Sequence, residues 1–453
     1  MVETDWYTRI VSGVLFPLQE RFKQHGTLRI RKEMEKTQWL ESGALAELQS
    51  RRLTEFMRTV SEQVPYYRRL FQKYALDPAS FQEPADLSSL PFLDKAVIRQ
   101  HVCDLKSENA QRLEKSNTGG STGEPLIFYL GSQRVGHDVA AKWRATRWWG
   151  VDIGDPEIVF WGSPIELGAQ DFMRAARDRI FRTRLLSAFD LSEETMHRYI
   201  SLIQARKPRM LFGYPSVLAY VAQYAENNRL RLDCCGIKVI FVTSERLYDW
   251  QREVIERNYG SPVANGYGGR DAGFIAHECP AGGMHITAED IVVEIIDDQG
   301  GRLPNGQYGE VVVTHLASGD FPFIRYKTGD VAAVSDEICR CGRGLPLLCD
   351  VQGRSTDFIR AADGKLLHGL ALIYVVREQR GIETFKIIQE DENQIRVMIV
   401  PNAAYEEDAG KAIINGIKSR VGMDVSVDVE VRSSIEKEGS GKYRYVVSRL
   451  TGH

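Results

Sequence analysis

One segment of the chain, SNTGGSTGEP at residues 116–125, combines three glycines with four hydroxyl side chains. Glycine permits backbone conformations that a Cβ would obstruct, and amide and hydroxyl groups together can surround an anion. The same composition suits a flexible connection in a β-hairpin, because glycine-rich motifs often occur without a ligand. The apolar run LIFYL that follows predicts a strand that anchors the segment. The segment alone therefore allows two interpretations, a phosphate-binding loop and a flexible hairpin connection, and its composition by itself favours the connection.

Four of the seven cysteines lie late in the sequence, close to histidines. Three thiolates and one imidazole suit tetrahedral Zn²⁺ in a closed structural site, which leaves no position for a reactive water. The predicted ligands are Cys279, His285, Cys339 and Cys341. Cys349 or His277 could replace one of them, and the alternative is a chance group of reduced cysteines. We expect the ion to hold the HECPAGGMH loop against the CRCGRG loop.

The elements that must position these residues change in character along the chain. Up to about residue 110, apolar residues recur every three or four positions and predict helices, with a break at Pro65. From the glycine-rich segment to about residue 350, the β-rich runs IVFW, RMLFGY and IKVIFVTSE alternate with amphipathic segments such as PSVLAYVAQYAENN. That alternation predicts a mainly parallel α/β sheet.

Two later regions predict antiparallel pairing. Within residues 291–334, IVVEIIDDQGGRLPNGQYGEVVVTHL has two alternating runs around a turn. After Gly353 come a hairpin-like pair in FKIIQEDENQIRVMIVP, the helix EEDAGKAIINGIKSRVG and a final strand, VSVDVEV. The predicted fold class is therefore α/β, with a large domain of several subdomains over residues 1–353 and a small α+β domain over residues 354–453.

Size and charge limit the partners of the protein. A chain of 453 residues exceeds one compact core, and 61 acidic against 58 basic residues give no overall field that would attract nucleic acid. We find no apolar run of about 18 residues and no secretion signal, so we expect a cytoplasmic protein that binds small molecules, with a homodimer left open.

A segment near the start of the chain, IVSGVLFPLQERF, has two interpretations. It is either a helix packed on the body of the protein or a short amphipathic helix that contacts a membrane.

Five short motifs occur in a fixed order along the chain. They are SNTGGSTGEP, YGGRD at 267–271, YKTGD at 326–330, GRSTDFI at 353–359 and GSGKYR at 439–444. They resemble the phosphate loop, aromatic-glycine-acid motif, ribose-binding motif, interdomain hinge and terminal lysine motif of the adenylate-forming enzymes. FVTSERL, HECPAGGMHIT and CRCGRGLP resemble the phenylacetate-CoA ligase branch, including its relatives from capsular polysaccharide clusters. The resemblance covers most of the chain and implies an adenylation domain followed by a small mobile lid.

The resemblance also implies a reaction, in which a carboxylate attacks the α-phosphate of ATP, releases pyrophosphate and leaves an acyl-adenylate. It assigns Lys442 to the α-phosphate and the attacking carboxylate in this first half-reaction only, since the lid rotates before the second. Asp271 would hold Mg²⁺, Asp330 would accept hydrogen bonds from both ribose hydroxyls, and Tyr267 would lie against adenine.

The predicted catalytic residues are thus Lys442 and Asp271, of which Asp271 is also the Mg²⁺ ligand. Tyr214 and Pro215 are predicted to line the pocket for the acid, because GYPS opens a helix after a buried strand. The residues predicted to bind the nucleotide are Thr118, Gly119, Gly120, Ser121, Thr122, Gly123, Ser244, Glu245, Gly266, Tyr267, Gly268, Asp330 and Arg354.

Several positions depart from the pattern of the family. Leu126 stands where many members have a phosphate-binding lysine, Asp271 is one methylene shorter than the usual glutamate, and Thr356 occupies a hinge position that is usually charged. DGKLLHGLAL replaces the Asn-Val-Phe-Pro segment that often follows the hinge, on the face that would meet the second substrate. The identity of the acyl acceptor is therefore left open.

The resemblance implies an ATP-dependent carboxylate-activating ligase that passes an acyl or aryl group from AMP to a thiol such as coenzyme A or to an amine. The cofactors would be ATP, Mg²⁺ and structural Zn²⁺, with coenzyme A as a candidate acceptor. One alternative is an adenylyltransferase without a second transfer step. Another is an inactive, zinc-stabilised binding protein, against which the retained Lys442, Asp330 and Asp271 argue.

Overall fold

A computed structural model of the chain describes residues 5–117, 126–162, 172–188, 191–297, 299–352, 358–362, 366–435 and 446–450. These residues form two compact units. The first unit comprises the described residues up to 155 together with 264–352, and the second comprises the described residues of 156–263 and 358–450. Within the described residues, no helix is both long and apolar enough to cross a membrane.

Helices make up most of the N-terminal part of the first unit, as predicted. Val64 is extended, with φ −112° and ψ 110°, because a proline disfavours helical geometry in the residue before it, and Pro65 then starts a new helix. The described helices of this unit are Trp6–Ile10, Phe16–Lys23, Thr27–Thr37, Ser42–Gln63, Pro65–Lys73, Lys95–His101 and Ser132–Trp148, with a π-helical turn at Val11–Leu15 and 3₁₀ turns at Pro78–Ser80 and Pro84–Ser89.

The longest of these helices shows how the core of the first unit forms. In Ser42–Gln63 the buried residues recur at three- and four-residue spacing near its C-terminal end, so they share one face. Phe56, Met57 and Val60 on that face join a core that also contains Phe128 and Phe323.

The strands follow in chain order as β1 to β19. They are β1 Leu113–Asn117, β2 Ile127–Gly131, β3 Glu157–Phe160, β4 Thr183–Leu186, β5 Met210–Gly213, β6 Val239–Thr243, β7 Val263–Gly269, β8 Gly273–Glu278, β9 Met284–Ile286, β10 Ile291–Ile296, β11 Gly309–His315, β12 Tyr326–Ser335, β13 Leu347–Gln352, β14 Phe358–Arg360, β15 Leu366–His368, β16 Ile382–Asp391, β17 Gln394–Pro401, β18 Ser426–Val431 and β19 Val446–Ser448.

In the first unit, β1 pairs with β2, and β10, β11, β12, β13, β9, β8 and β7 lie side by side in that order. Each of these neighbouring pairs is antiparallel. Ile291 on β10 lies opposite His315 on β11, so the antiparallel pairing predicted from the alternating pattern is confirmed.

The second unit contains parallel strands in the order β6, β5, β3 and β4. All residues of β5 and β6 are buried, as expected for parallel strands covered on both faces. This sheet confirms the predicted parallel α/β part. The described helices of the unit are Phe172–Ile180, Glu193–Arg206, Pro215–Asn227, Asp249–Tyr259, Leu370–Arg377 and Glu407–Val421, with a 3₁₀ turn at Asp233–Cys235.

The C-terminal residues of the second unit contain a four-stranded sheet in the order β18, β17, β16 and β19, and a separate pair, β14 and β15. The predicted hairpin is β16 and β17, whose buried residues Phe385, Ile387, Val397 and Ile399 share a core with the helix Glu407–Val421. The prediction of VSVDVEV as the final strand was wrong, because β19 follows it and pairs with β16. A strand of three residues is too short to show an alternating pattern. The domain boundary at residues 353 and 354 lies outside the described residues and stays a prediction.

Candidate active site

The glycine-rich segment connects two strands of a hairpin. Asn117 at the end of β1 pairs with Ile127 at the start of β2, so the strand predicted from LIFYL is confirmed. Residues 118–125 lie outside the described residues, and the phosphate contacts predicted for Thr118, Gly119, Gly120, Ser121, Thr122 and Gly123 stay predictions.

The YGGRD motif forms the end of the β7–β8 hairpin. Gly266, Tyr267 and Gly268 lie on β7, and Asp271 lies in the turn before β8. Gly268 has a φ of 155°, and a Cβ there would lie 2.1 Å from the carbonyl oxygen of Gly273. Glycine is therefore required at position 268, and the resulting bulge sets the direction of the turn.

Tyr267 connects this hairpin to the YKTGD motif on β12. Its hydroxyl lies 3.1 Å from Oδ2 of Asp330 and 3.3 Å from Oγ1 of Thr328. The hydroxyl of Thr328 also accepts a hydrogen bond from the backbone amide of Asp330. Burial and the negative charge of Asp330 raise the pKa of Tyr267 well above its ordinary value, so the phenol stays protonated and can donate to the carboxylate.

Asp271 is held by two residues that the sequence analysis did not identify. The buried Tyr326 donates to Oδ2 of Asp271 at 2.6 Å, and Arg134 donates through Nη2 to its carbonyl oxygen at 3.1 Å. Oδ1 accepts from the amide of Ala272. Each carboxylate oxygen can accept a second interaction, so Asp271 can still bind a cation. Tyr326 is the first residue of YKTGD itself, whereas Arg134 lies in a helix without any motif.

Arg134 belongs to a buried polar group. Its Nε lies 3.1 Å from both carboxylate oxygens of Asp138, close to His137 and His315. These two histidines and Asp138 have the ligand types of a metal site. The guanidinium already neutralises the carboxylate, so we assign no ion here.

In the second unit, predicted site residues follow the ends of parallel strands. Tyr214 follows β5 and Ser244 follows β6, so they lie at the carboxyl edge of the sheet, where α/β sheets bind ligands. Pro215 starts the helix after Tyr214, which confirms the predicted local structure of GYPS. The ring of Tyr214 stacks on Trp161, which follows β3, with centroids 4.6 Å apart.

A hydrogen bond connects the segment that follows β5 to the segment that follows β6. Ser216 donates through Oγ to Oε2 of Glu245 at 2.5 Å, and its backbone amide donates to the same oxygen at 3.4 Å. Ser244 has a left-handed φ of 70°, a conformation that is uncommon outside glycine. Strained conformations of this kind are concentrated at functional sites. Trp161 and Ser216 were not predicted as site residues, although Trp161 is the last residue of IVFW and Ser216 is the last residue of GYPS.

The cysteine and histidine group of the first unit comes together as predicted. One ligand atom from each of the four residues lies within 4.8 Å of the others, and Cys349 and His277 are not part of this group. The sulfurs of Cys279 and Cys339 are 3.5 Å apart, and Nε2 of His285 is 3.2 Å from Sγ of Cys341. These separations suit four ligands around one tetrahedral Zn²⁺.

The surroundings of this group favour metal binding. Nδ1 of His285 lies 3.1 Å from the carbonyl oxygen of Leu345, so it carries the proton and leaves the lone pair of Nε2 free to bind a metal. Burial lowers the pKa of His285 to about 4, which keeps the ring neutral. A Cβ at Gly283 would lie 2.6 Å from Sγ of Cys339, so the tight turn before β9 requires glycine.

Lys442 and Arg354, with the hinge residue Thr356, lie outside the described residues, and their roles stay predictions.

Known proteins resemble this chain over nearly its full length. Residues 359–449 match the family model of the CapK C-terminal domain. The chain is 24% identical over 446 residues to Protein CapK of Staphylococcus aureus, an alignment that covers 97% of this chain and 96% of CapK. It is 26% identical over 326 residues to the phenylacetate-coenzyme A ligase of Thermus thermophilus, which covers 70% and 71% of the two chains. The chain is thus similar in sequence to CapK and to the phenylacetate-coenzyme A ligases.

The fold agrees with this sequence similarity. A 2-hydroxyisobutyryl-CoA ligase, solved in complex with 2-HIB-AMP and CoA, matches it with a TM-score of 0.65 at 21% identity, and 91% of each chain is covered. The predicted α/β fold class and the predicted relationship to the phenylacetate-CoA ligases are therefore confirmed.

Proposed function

We propose that this chain is an ATP-dependent ligase that activates a carboxylic acid as its adenylate and transfers the acyl group to a thiol or an amine. The observation that carries the proposal is the contact between the YGGRD and YKTGD motifs in the first unit. Tyr267 bonds to Asp330 and Tyr326 bonds to Asp271, so the two carboxylates with predicted nucleotide roles belong to one connected group.

The proposed reaction has two steps. A carboxylate oxygen of the acid attacks the α-phosphorus of ATP, the bond to the β-phosphate breaks, and pyrophosphate leaves. The thiol or amine acceptor then attacks the carbonyl carbon of the acyl-adenylate, loses its proton, and AMP leaves. Coenzyme A is one candidate acceptor, and the phenylacetate-coenzyme A ligases among the relatives support it.

Asp330 and Asp271 would share the binding of the nucleotide. Asp330 would accept hydrogen bonds from the ribose hydroxyls, while Tyr267 orients its carboxylate. Asp271 fits Mg²⁺, because its carboxylate retains lone pairs and Tyr326 fixes its orientation from the buried side. The ion would neutralise charge on the phosphate oxygens.

The pocket proposed for the acid belongs to the second unit. Tyr214 is buried and stacks on Trp161, and the two rings give the carboxyl edge of the sheet an aromatic wall. Such a surface favours an acid with an aryl or another apolar group over a highly charged one. Ser244 and Glu245 are proposed to contact the nucleotide, as the resemblance implies.

We further propose that the four-residue cysteine and histidine group holds one structural Zn²⁺. Four protein ligands would complete a tetrahedral site, so the ion would stabilise the fold and take no direct part in the reaction. The homodimer and the cytoplasmic location stay predictions.

The reaction is tested by measuring pyrophosphate release with a panel of aryl and aliphatic acids. Acids that stimulate release are then combined with coenzyme A and with amines, and the products are identified by mass spectrometry. An acyl-thioester or amide supports the ligase. Accumulation of acyl-AMP with every acceptor would favour an adenylyltransferase, and no release with any acid would favour a binding protein.

Asp330→Ala is expected to weaken ATP binding by about 1 to 3 kcal/mol, because the ribose hydroxyls lose a charged acceptor. Calorimetric titration with ATP measures the effect. Asp336→Ala is the control, since Asp336 follows the same strand but is exposed. Equal ATP affinity in the Asp330→Ala variant and the wild type would place Asp330 outside the nucleotide site.

Tyr326→Phe is expected to raise the Mg²⁺ concentration needed for half-maximal activity by about fivefold, corresponding to the loss of roughly 1 kcal/mol from one hydrogen bond. The buried ring keeps its edge-to-face contact with Phe323, so the packing is retained. The exposed Tyr308 provides the control Tyr308→Phe. An unchanged Mg²⁺ dependence would show that the Tyr326 hydroxyl does not orient a metal ligand.

A further inference from the structure

The first described segment is a continuous helix of 18 residues with two different faces. It consists of α-helix Trp6–Ile10, a π-helical turn Val11–Leu15 and α-helix Phe16–Lys23. The inner face is fixed to the first unit. Thr8 donates to Asp155 at 2.9 Å, and Phe16 packs edge to face on Trp143 with centroids 5.0 Å apart.

The outer face carries large apolar residues that nothing in the described chain covers. Five of them recur at every fourth position, and all are exposed. The exposed fraction is 72% for Trp6 and 88% for Phe22, and a contiguous exposed apolar patch marks an interaction site. The stripe consists of Trp6, Ile10, Val14, Leu18 and Phe22.

The π-helical turn explains how this spacing gives one stripe. In an α-helix each residue turns the chain by about 100°, so positions four apart drift by about 40° at each step. A π-helix has more residues per turn and therefore turns the chain less per residue. The turn at Val11–Leu15 offsets part of the drift and brings Leu18 and Phe22 back toward the face of Trp6. Single π-helical turns of this kind are often found at functional sites.

The charges beside the stripe indicate what covers it. The exposed charged residues of the helix and its N-cap are Arg9, Arg21 and Lys23, against Asp5. This local excess of positive charge contrasts with the net charge of −3 for the whole chain. In a symmetric contact between two copies the same cations would face each other, whereas an anionic lipid surface would attract them.

We propose that residues 6–23 form an interfacial helix that binds an anionic lipid bilayer. The helix is about 27 Å long and would lie in the plane of the membrane, with the stripe among the acyl chains and the cations at the headgroup phosphates. The sequence IVSGVLFPLQERF allowed either a helix packed on the protein or a helix that contacts a membrane. In this proposal the helix does both, because its inner face packs on the protein and its outer face contacts the membrane. The inference does not depend on the proposed catalytic activity.

Vesicle flotation with the full chain tests this proposal. The wild type is expected to float with vesicles of phosphatidylglycerol and phosphatidylcholine, less at high salt, and not with phosphatidylcholine alone. Phe22→Glu should reduce the bound fraction by about tenfold without changing the melting temperature, because Phe22 makes few contacts in the folded chain. Ile338→Glu is the control, since Ile338 is 89% exposed and lies outside the helix.

Three outcomes would overturn the proposal. They are the absence of flotation with anionic vesicles, equal flotation of the Phe22→Glu variant and the wild type, and a dimer in sedimentation that Phe22→Glu dissociates while no vesicles are bound. The last outcome would show that a second copy of the chain covers the stripe.

Discussion

Replacing Lys442 with alanine is expected to slow formation of the acyl-adenylate by about a hundredfold or more and to leave ATP binding nearly intact. A compact positive charge between the attacking carboxylate and the α-phosphate stabilises mainly the transition state, so its loss lowers the rate much more than the affinity. Single-turnover formation of the adenylate measures the first effect, and calorimetry with ATP measures the second.

The matched control is Lys437→Ala, five positions earlier in the sequence. Because the resemblance assigns Lys442 to the first half-reaction only, transfer from a supplied acyl-adenylate should be less affected than adenylation. Normal adenylation by the Lys442→Ala variant would refute the role of the lysine. An equal loss in both half-reactions would refute the lid rotation that the resemblance implies.

Cys341→Ser is expected to abolish the binding of about one zinc per chain and to destabilise the first unit by more than about 2 kcal/mol. Cys341 lies 3.2 Å from His285, and hydrogen bonds from Arg343 hold the pKa of its thiol below the ordinary value despite burial, which favours the thiolate. Elemental analysis after a chelator wash and thermal unfolding followed by calorimetry measure the two effects.

Cys103→Ser is the control for this change, because Cys103 is an exposed thiol remote in sequence from the four ligands. It should retain both the zinc and the melting temperature. Wild-type protein without zinc, or a Cys341→Ser variant with unchanged zinc and stability, would contradict the prediction. Either result would show that the four residues lie together by chance and bind no metal.

The parts of the fold that were predictable have strong local patterns. The β-branched apolar runs of β10 and β11 and the fully buried runs of β5 and β6 are strong local signals for strands. The short strand β19 was missed because its pairing with β16 depends on residues far away in sequence.

The same distinction applies to the candidate site. The cysteine and histidine ligands could be identified because each residue type has a specific chemistry, even though Cys279 and Cys339 are 60 positions apart. Arg134 could not be identified in this way. It reaches the carbonyl of Asp271 across 137 positions, and no local pattern indicates that a buried arginine will support a turn from such a distance.

The central claim, activation of a carboxylate by adenylation, is tested most directly with an acid labelled with ¹⁸O in both carboxylate oxygens. The acid is first chosen by pyrophosphate release, and the AMP formed during turnover with an acceptor is analysed by mass spectrometry. The account predicts AMP that carries one ¹⁸O atom, because the oxygen that attacked the α-phosphorus stays on AMP when the acyl group is transferred. AMP without the label, or ADP and phosphate as the products, would contradict the account.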